Sequence, residues 1–298
     1  MLSKWMKLCC VFLFLVAPLA LGSPHGATEE GQSDLAPLRD ALTFHSSFEG
    51  GADADFALGD KRIYAAPSYE EVDKAKPAFD NPNAELMPNQ GRFGAALKFH
   101  HKNTSALFFR GETNLAYTPE DWSGTVSFWL SLSPSQDLEP GYCDPIQITD
   151  TTYNDAAVWV DFTKDNPRQF RLGVFGDLES WNPKKLPSDE NPDFMNRLVV
   201  VDDPPFERGE WTHVVITFSG LGSAAEGSAK LYLNGKLQGT TSGIKDPFTW
   251  DLSRAQIRIG VNYVGLYDEL ALFDRPLTDD EVSTLYGLSG GVASLYKK

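Results

Sequence analysis

The pattern of hydrophobic and polar positions is clearest from Trp211 to Tyr286. Three runs rich in aliphatic, aromatic and Thr residues, WTHVVITFSG, AKLYLNGKLQGTT and IRIGVNYVGLYDELALF, are separated by turn-forming residues. Asn234-Gly235 lies between the LYL and KLQ segments, and both residues tolerate the positive φ of a type I′ turn. The pattern therefore predicts a β-hairpin at Asn234-Gly235 within a series of antiparallel strands.

The same alternation extends into the N-terminal half. In the segment TVSFWLSL, Val126, Phe128 and Leu130 share one face of a predicted strand. One strongly apolar face is what a strand in a two-sheet sandwich needs. Further strands are predicted at Leu42–Phe48, Ala95–His100, Leu107–Phe109, Ile146–Thr149, Ala157–Phe162 and Phe170–Phe175.

A short helix follows the last predicted strand. Thr278 and Glu281 have the spacing of a capping box, in which each side chain bonds the other residue's backbone amide. Asp279 and Asp280 fall in the first turn, where the helix dipole favours negative charge. The motif is structural and carries no chemistry.

Two long segments interrupt the β pattern. Residues 50–88 are irregular and are expected to cross one end of a sandwich. Residues 176–210 contain five prolines and many charges, with a short strand predicted at Arg197–Val201. Loops of this length are unusual in a compact domain and are often functional.

The N-terminus has the pattern of a secretory signal peptide. Lys4 and Lys7 precede an apolar run from Leu8 to Leu21, and small residues lie before a predicted cut after Gly22. The alternative is an uncleaved anchor, but the run is shorter than the ~20 residues that span a bilayer. The prediction is a secreted, periplasmic or cell-surface protein with no membrane span after cleavage. It comprises a signal peptide (1–22), a flexible tail (23–37), one domain (38–288, with the insertion 176–210) and a C-terminal tail (289–298).

The composition narrows the possible partners. The chain has 26 Lys and Arg against 41 Asp and Glu, a formal net charge of −15. Such acidity disfavours nucleic acid and anionic membranes as partners, and suits calcium, neutral glycans or basic partners. The alternative is a solvated acidic surface, because these residues are spread along the chain. Oligomeric state does not follow from any of these features.

The order of these motifs resembles the laminin-G-like jelly roll of the concanavalin A-like lectin/glucanase superfamily. The resemblance rests on a W-T-H-V strand, an L-Y-x-N-G hairpin, a final D-E-aliphatic strand and an R-x-L-(S/T)-x-x-E helix. FHSSFEGG, GRFGAALKFH and GTVSFWLSLS support it in the N-terminal half, so that it covers roughly Ala41 to Leu288. It implies an all-β, two-sheet antiparallel sandwich with a short C-terminal helix. Function stays open, because the fold includes binders, adhesins and enzymes.

The enzyme signatures of this superfamily are missing from the sequence. Glycosidases of this type carry paired carboxylates as E-x-D-x-x-E, and the match at Glu71-Val72-Asp73 ends with Lys76. Jelly-roll lyases carry Q-I-H, and here Gln147-Ile148 is followed by Thr149. The prediction is therefore a protein that is not an enzyme.

The resemblance also implies a structural calcium ion between the first and last strands. The positions that match its acidic ligands are Glu49, in F-E-G-G, and Asp268, in L-Y-D-E-L. Calcium prefers such oxygen ligands. In the alternative, Asp268 only bonds backbone amides or Arg62.

Carbohydrate binding would need an aromatic face beside hydrogen-bonding groups. Trp181 and Asn182 lie in the polar insertion, and Trp159 and Asp161 alternate on one face of a predicted strand. These four residues are the predicted ligand contacts. The leading interpretation is non-catalytic binding of a carbohydrate or cell-surface partner. The alternatives are a structural or adhesive envelope protein and a glycan-active enzyme without a recognised motif.

Overall fold

Alternating apolar positions build two antiparallel sheets that share one core. The computed structural model describes residues 35–102, 105–188, 190–222 and 226–297. The strands of these residues are β1 (Leu42–Ser46), β2 (Phe56–Ala57), β3 (Ile63–Ala66), β4 (Ala84–Gly91), β5 (Gly94–Phe99), β6 (Ala106–Arg110), β7 (Trp122–Ser131), β8 (Cys143–Thr149), β9 (Ala157–Phe162), β10 (Phe170–Phe175), β11 (Leu198–Val201), β12 (Thr212–Leu221), β13 (Gly227–Leu233), β14 (Lys236–Ile244), β15 (Gln256–Val261) and β16 (Gly265–Phe273). The helices are α1 (Ala36–Ala41), α2 (Pro134–Asp137), α3 (Leu178–Trp181), α4 (Pro192–Met195) and α5 (Asp279–Tyr286), with short 3₁₀ turns at Val72–Lys74, Glu112–Leu115 and Val292–Leu295.

The sheets differ in size. The described residues form a nine-stranded sheet in the order β14-β13-β12-β7-β16-β1-β2, with β5 beside β16 and β4 beside β5. They form a seven-stranded sheet in the order β11-β10-β9-β8-β15-β6-β3. Phe128, Leu231 and Leu270 of the larger sheet are fully buried in one cluster with Val160 and Ile257 of the smaller one. The predicted sandwich and the strand registers that bury these residues are confirmed.

The predicted hairpin at Asn234-Gly235 is confirmed. β13 and β14 pair antiparallel with Leu233 opposite Lys236. Asn234 and Gly235 between them both have positive φ, 50° and 74°. Asn234 also accepts a bond from the His213 backbone amide through its side-chain oxygen, at 2.9 Å. The turn therefore anchors the hairpin to β12.

A bulge interrupts β16. Its register against β7 shifts between Asp268 and Ala271, and Glu269 adopts a positive φ of 54°. β16 pairs with β5 up to Tyr267 and with β1 from Leu270 onward. The bulge thus places Asp268 and Glu269 where the strand changes neighbours.

The irregular segments are more ordered than the sequence suggests. β2, β3 and the start of β4 fall within residues 50–88, and the insertion 176–210 contains α3, α4 and the expected short strand. In the insertion, Trp181 and Phe194 pack on Phe175 of β10. The insertion therefore covers part of the outer surface of the smaller sheet.

The ends of the described chain pack together. α1 begins at Ala36, inside the predicted N-terminal tail, and Val292 and Leu295 of the C-terminal tail are buried in the same cluster as Leu38. The predicted capping box is present, with Thr278 and Glu281 each accepting the other's backbone amide. The predicted signal peptide lies outside the described residues. No helix in the described part of the chain is long and apolar enough to cross a membrane.

Candidate functional site

A cleft of about 410 Å³ lies on the outer face of the seven-stranded sheet. Asp144 and Gln147 of β8, Asp161 of β9 and Arg171 of β10 contribute polar side chains to it. Ser188, Phe194 and Met195 of the insertion also line the cleft. Strand and insertion side chains therefore meet in one concave surface.

One cross-strand row forms part of the cleft floor. In the strand register Gln147 lies opposite Trp159, and Trp159 lies opposite Gly173. The indole ring lies over Gly173, since a Cβ there would approach Trp159 Cζ2 to 2.2 Å. Trp159 Nε1 donates to the Tyr153 carbonyl at 2.6 Å, and the residue is only 2% exposed. Trp159 is thus mostly a packed residue that lines the cleft with little free surface.

The next row holds a buried ion pair. Asp161 lies opposite Arg171, whose Nε donates to Asp161 Oδ1 at 2.8 Å and whose Nη2 donates to Oδ2. Such a bidentate pair satisfies both carboxylate oxygens. The Arg171 guanidinium also lies over the Tyr142 ring, 5.1 Å from its centroid. The pair is therefore a fixed, internally neutral part of the cleft.

Asp144 is the second acid of the cleft. It is half-buried, and Gln147 Nε2 donates to its Oδ2 at 2.7 Å. Arg258 Nη1 in turn donates to Gln147 Oε1 at 2.7 Å, which holds the amide in this orientation. Burial, reinforced by the nearby charge of Asp161, raises the pKa of Asp144 to about 8. Strongly shifted acids in clefts are candidates for functional groups.

Two tyrosines are the most exposed aromatic residues of the cleft. Tyr142 is 48% exposed and Tyr153 is 42% exposed. The Tyr153 hydroxyl lies 3.3 Å from Ser188 Oγ of the insertion. Their rings provide the apolar surface that Trp159 does not.

The structure separates the four predicted ligand contacts into two pairs. Trp159 and Asp161 both line the cleft, whereas Trp181 and Asn182 lie outside its lining. Trp181 is 4% exposed, and its Nε1 donates to the Asn154 carbonyl at 2.9 Å. Asn182 is buried and bonds both backbone groups of Leu186. The expectation of a ligand-facing Trp181 and Asn182 is therefore corrected, because both side chains organise the insertion itself.

Sequence reasoning missed Asp144, Gln147, Tyr142 and Arg171 as cleft residues. A weak signal was available, because Gln147, Asp161 and Arg171 each lie between two apolar residues of a predicted strand. This pattern would not have identified Asp144. The pairing of β8 with β9 shifts between Cys143 and Ile146, so the alternation breaks next to it.

The predicted calcium ligands lie outside the cleft, and each accepts hydrogen bonds from the β4–β5 hairpin. Glu49 Oε1 accepts from the Ala95 amide at 2.7 Å, and Asp268 Oδ2 accepts from the Arg92 and Phe93 amides at 2.7 and 3.3 Å. Both carboxylates thus face the β4–β5 hairpin.

The donor set fits calcium only in part. The carboxylate oxygens are of the right type, but each acid is engaged by amides. No three His, Cys, Asp or Glu side chains within the described ranges come close enough to hold a metal ion. Arg62, the other partner considered for Asp268, pairs with Asp60 instead. Calcium binding by Glu49 and Asp268 stays a prediction.

Comparison with known proteins supports the fold. The sequence model of the family Laminin_G_3, described as concanavalin A-like lectin/glucanases superfamily, matches residues 113–283, more than half of the chain. A search of curated proteins finds no significant match.

The similar solved structures are distant in sequence. The receptor binding domain of botulinum neurotoxin C/D mosaic serotype is 12% identical over 83% of this chain and 51% of its own, with a TM-score of 0.51. Domain 4 of AbnA, a GH43 extracellular arabinanase from Geobacillus stearothermophilus in complex with arabinotriose, is 18% identical over 82% of this chain and 97% of its own, with a TM-score of 0.49. Trypanosoma rangeli sialidase is 15% identical over 83% of this chain and 32% of its own, with a TM-score of 0.46. This chain thus spans about half of the neurotoxin domain and a third of the sialidase, and the likeness concerns the fold alone.

Proposed function

The chain belongs to the concanavalin A-like lectin/glucanase superfamily, and on that premise we propose that it is a non-catalytic binding protein for a carbohydrate. The proposed site is the cleft on the outer face of the seven-stranded sheet. The observation that carries the proposal is the pair of exposed rings, Tyr142 and Tyr153, beside the polar side chains of Asp144 and Gln147.

The physical basis of the proposal is that a sugar ring has both apolar and polar surfaces. A pyranose presents apolar C–H groups on its faces and hydroxyl groups at its edges. A ring such as Tyr142 can cover a face, while Asp144, held in place by the buried Gln147 amide, can exchange hydrogen bonds with the edge. The buried Asp161–Arg171 pair needs no ligand to satisfy it. We therefore assign it to shaping the cleft, and the direct contacts to the exposed rings and Asp144.

Truncating the two tyrosines tests the proposal. Binding to immobilised oligosaccharides is compared for the wild type, Tyr142→Ala and Tyr153→Ala, and affinities of retained glycans are measured by calorimetry. We expect each variant to bind at least about fivefold more weakly, since one lost ring contact is worth about 1 kcal/mol. Stability should fall by about 1 kcal/mol in Tyr142→Ala, which also loses the contact of its ring with the Arg171 guanidinium, so binding is measured at a temperature where each variant is folded.

Leu237→Ala is a matched control. Leu237 is 46% exposed on β14 of the other sheet, so its truncation should change neither stability nor binding. If no glycan is retained by the wild type, the carbohydrate proposal is wrong and a protein-contacting envelope role becomes the better hypothesis.

A second candidate is glycan cleavage. Asp144 and Asp161 are two carboxyl groups of one cleft in different environments, one held by an amide and the other paired with Arg171. Unequal acid pairs are what glycoside-cleaving sites use. New reducing ends that appear with the wild type and disappear with Asp144→Asn would overturn the non-catalytic proposal.

We also propose that the protein is exported and that its N-terminal 22 residues are removed. The support is the basic and apolar pattern around Lys4, Lys7 and Leu8–Leu21. N-terminal sequencing of the protein recovered outside the cytoplasm should begin at Ser23. A start at Met1 would contradict cleavage.

A further inference from the structure

Asp144 is an acid of the cleft that is not paired with a cationic side chain of the described residues. Its hydrogen-bond partner is an amide, Gln147 Nε2 at 2.7 Å, and no Lys, Arg or His of the described residues lies within ion-pair distance of it. The adjacent acid, Asp161, is bidentate with Arg171. Of the carboxyl groups that line the cleft among the described residues, Asp161 is paired with a cationic side chain and Asp144 is not.

Two guanidinium groups, those of Arg171 and Arg258, lower the pKa of Asp144 through their charge, but neither forms an ion pair with it within the described residues. Arg171, facing it from β10, is engaged by Asp161. Arg258, facing it from β15, donates to Gln147 Oε1, to Gln256 Oε1 and to the Thr151 carbonyl, all neutral acceptors. Tyr69, on the segment before the 3₁₀ turn at Val72–Lys74, lies under the Arg258 guanidinium.

A half-buried carboxyl group without a contacting cation favours its protonated form here, because burial opposes its charge more strongly than the two guanidinium groups favour it. The pKa of Asp144, raised to about 8 by burial and by Asp161, agrees with this geometry. Near neutral pH without ligand, the side chain therefore keeps a proton for much of the time.

The open side of the cleft suits a cation. The rings of Tyr142 and Tyr153 are exposed there, and aromatic faces attract ammonium groups. The formal charge of −15 favours the approach of a basic ligand from solution. Both features are independent of the titration of Asp144.

We propose that the cleft selects a carbohydrate carrying a protonated amine, such as an unacetylated amino sugar, and that Asp144 accepts a hydrogen bond from its ammonium group. The inference rests on the proposed carbohydrate function and names the chemical class of the ligand. The ammonium replaces the proton of Asp144, so the carboxylate is ionised in the complex. Binding of a ligand that is already protonated therefore releases a proton to solution.

The test compares two oligosaccharides of equal length, one of glucosamine and one of N-acetylglucosamine, by calorimetry at about pH 6, where an amine stays protonated. We expect the glucosamine oligomer to bind about tenfold more tightly, because the charge pair formed has to exceed the cost of removing the Asp144 proton about two pH units below its pKa. Measurements in two buffers of different ionisation enthalpy should show release of about one proton for this oligomer alone.

The variant Asp144→Asn should abolish both the preference and the proton release while keeping the fold, and Asp144→Glu should restore part of the preference. The control is Asp150→Asn. Asp150 is a buried acid with a raised pKa outside the cleft lining, and its side chain accepts from the Asp251 amide. Its replacement should leave the preference unchanged.

The outcomes separate the two proposals. Equal affinity for the two oligomers, or a preference that survives in Asp144→Asn, overturns the amine assignment and leaves carbohydrate binding in place. Failure of every oligosaccharide to bind overturns both. The wild-type comparison alone is decisive if a variant does not fold.

Discussion

Asp144 and Asp268 are two acids with similar electrostatics and different surroundings. Burial is the main cause that raises the pKa of each to about 8, and in each case a neighbouring acid, Asp161 or Glu269, adds to the effect. Asp268 is fully buried, and it accepts from the backbone amides of Arg92, Phe93 and Glu269. Asp144 accepts from one side-chain amide and faces an open cleft.

The comparison shows that a shifted pKa alone does not identify a binding group. At Asp268 both carboxylate oxygens are committed to a bulge and a hairpin, so its position is explained by the fold. At Asp144 the described residues supply one hydrogen-bond donor, and the carboxyl group faces open space in the cleft. Unfilled hydrogen-bonding capacity beside accessible space distinguishes the two acids, and the following predictions test this distinction.

The largest effect should come from the insertion that forms part of the cleft. Trp181→Ala removes a buried ring that packs on Phe175 and bonds the Asn154 carbonyl. We expect a loss of about 3–5 kcal/mol in unfolding free energy, measured by urea denaturation. A loss below about 0.5 kcal/mol would mean that the ring is exposed and would restore its interpretation as a ligand contact.

Replacing Asp268 or Asp144 should change the unfolding free energy by different amounts. Asp268→Ala leaves three backbone amides without their acceptor, and we expect it to lower the unfolding free energy by about 1–3 kcal/mol. At about pH 4, below the range in which the raised pKa of Asp144 costs stability, Asp144→Asn should change the unfolding free energy by less than about 0.5 kcal/mol, because the side chain keeps an oxygen near Gln147 and faces the cleft. Equal losses in the two variants would contradict the distinction between a structural and a ligand-facing acid.

Both acids should make stability fall as pH rises. Between the ordinary carboxyl pKa near 4 and about 8, the unfolded chain ionises while the folded state keeps the proton, which favours unfolding. We expect a decline of up to about 1 kcal/mol per pH unit for Asp268, and a flatter profile in Asp268→Asn.

Glu281 should have the opposite effect on the pH dependence of stability, and at lower pH. Its bond to Arg275 lowers its pKa to about 2, so its contribution is present above about pH 4 and is lost as the pH falls toward 2. Thermal melts across this range would detect both slopes. A stability that does not decline between pH 4 and 8 would show that the buried acids are ionised in the folded protein.

The smallest expected effect is that of calcium. If an ion displaces the hairpin amides from Glu49 and Asp268, millimolar calcium should raise the melting temperature by about 2–4 °C, and a chelator should reverse it. Glu49→Gln should remove the response. An unchanged melting curve for the wild type would leave both acids as acceptors for the β4–β5 hairpin.

The sequence predicted the fold in more detail than the site. The turn at Asn234-Gly235, the capping box at Thr278 and Glu281, and the burial of Phe128 and Leu270 all follow from local patterns that the structure confirms. The site depends on contacts between distant segments. Trp181 was misjudged because its polar neighbours in sequence suggest exposure, whereas Phe175 covers its ring in space.

By itself, the sequence determined which faces of the strands are apolar, where the chain turns and how the last helix begins. These properties depend on side-chain period, positive φ and local hydrogen bonds, all of which act within a few residues. Only the tertiary structure decided that Asp161 meets Arg171, that Trp159 lies over Gly173 and that Asp144 retains a free side toward the cleft. These arrangements depend on strand register, on a break in the strand pairing and on the packing of the insertion. Interactions between residues close in sequence determine none of these features.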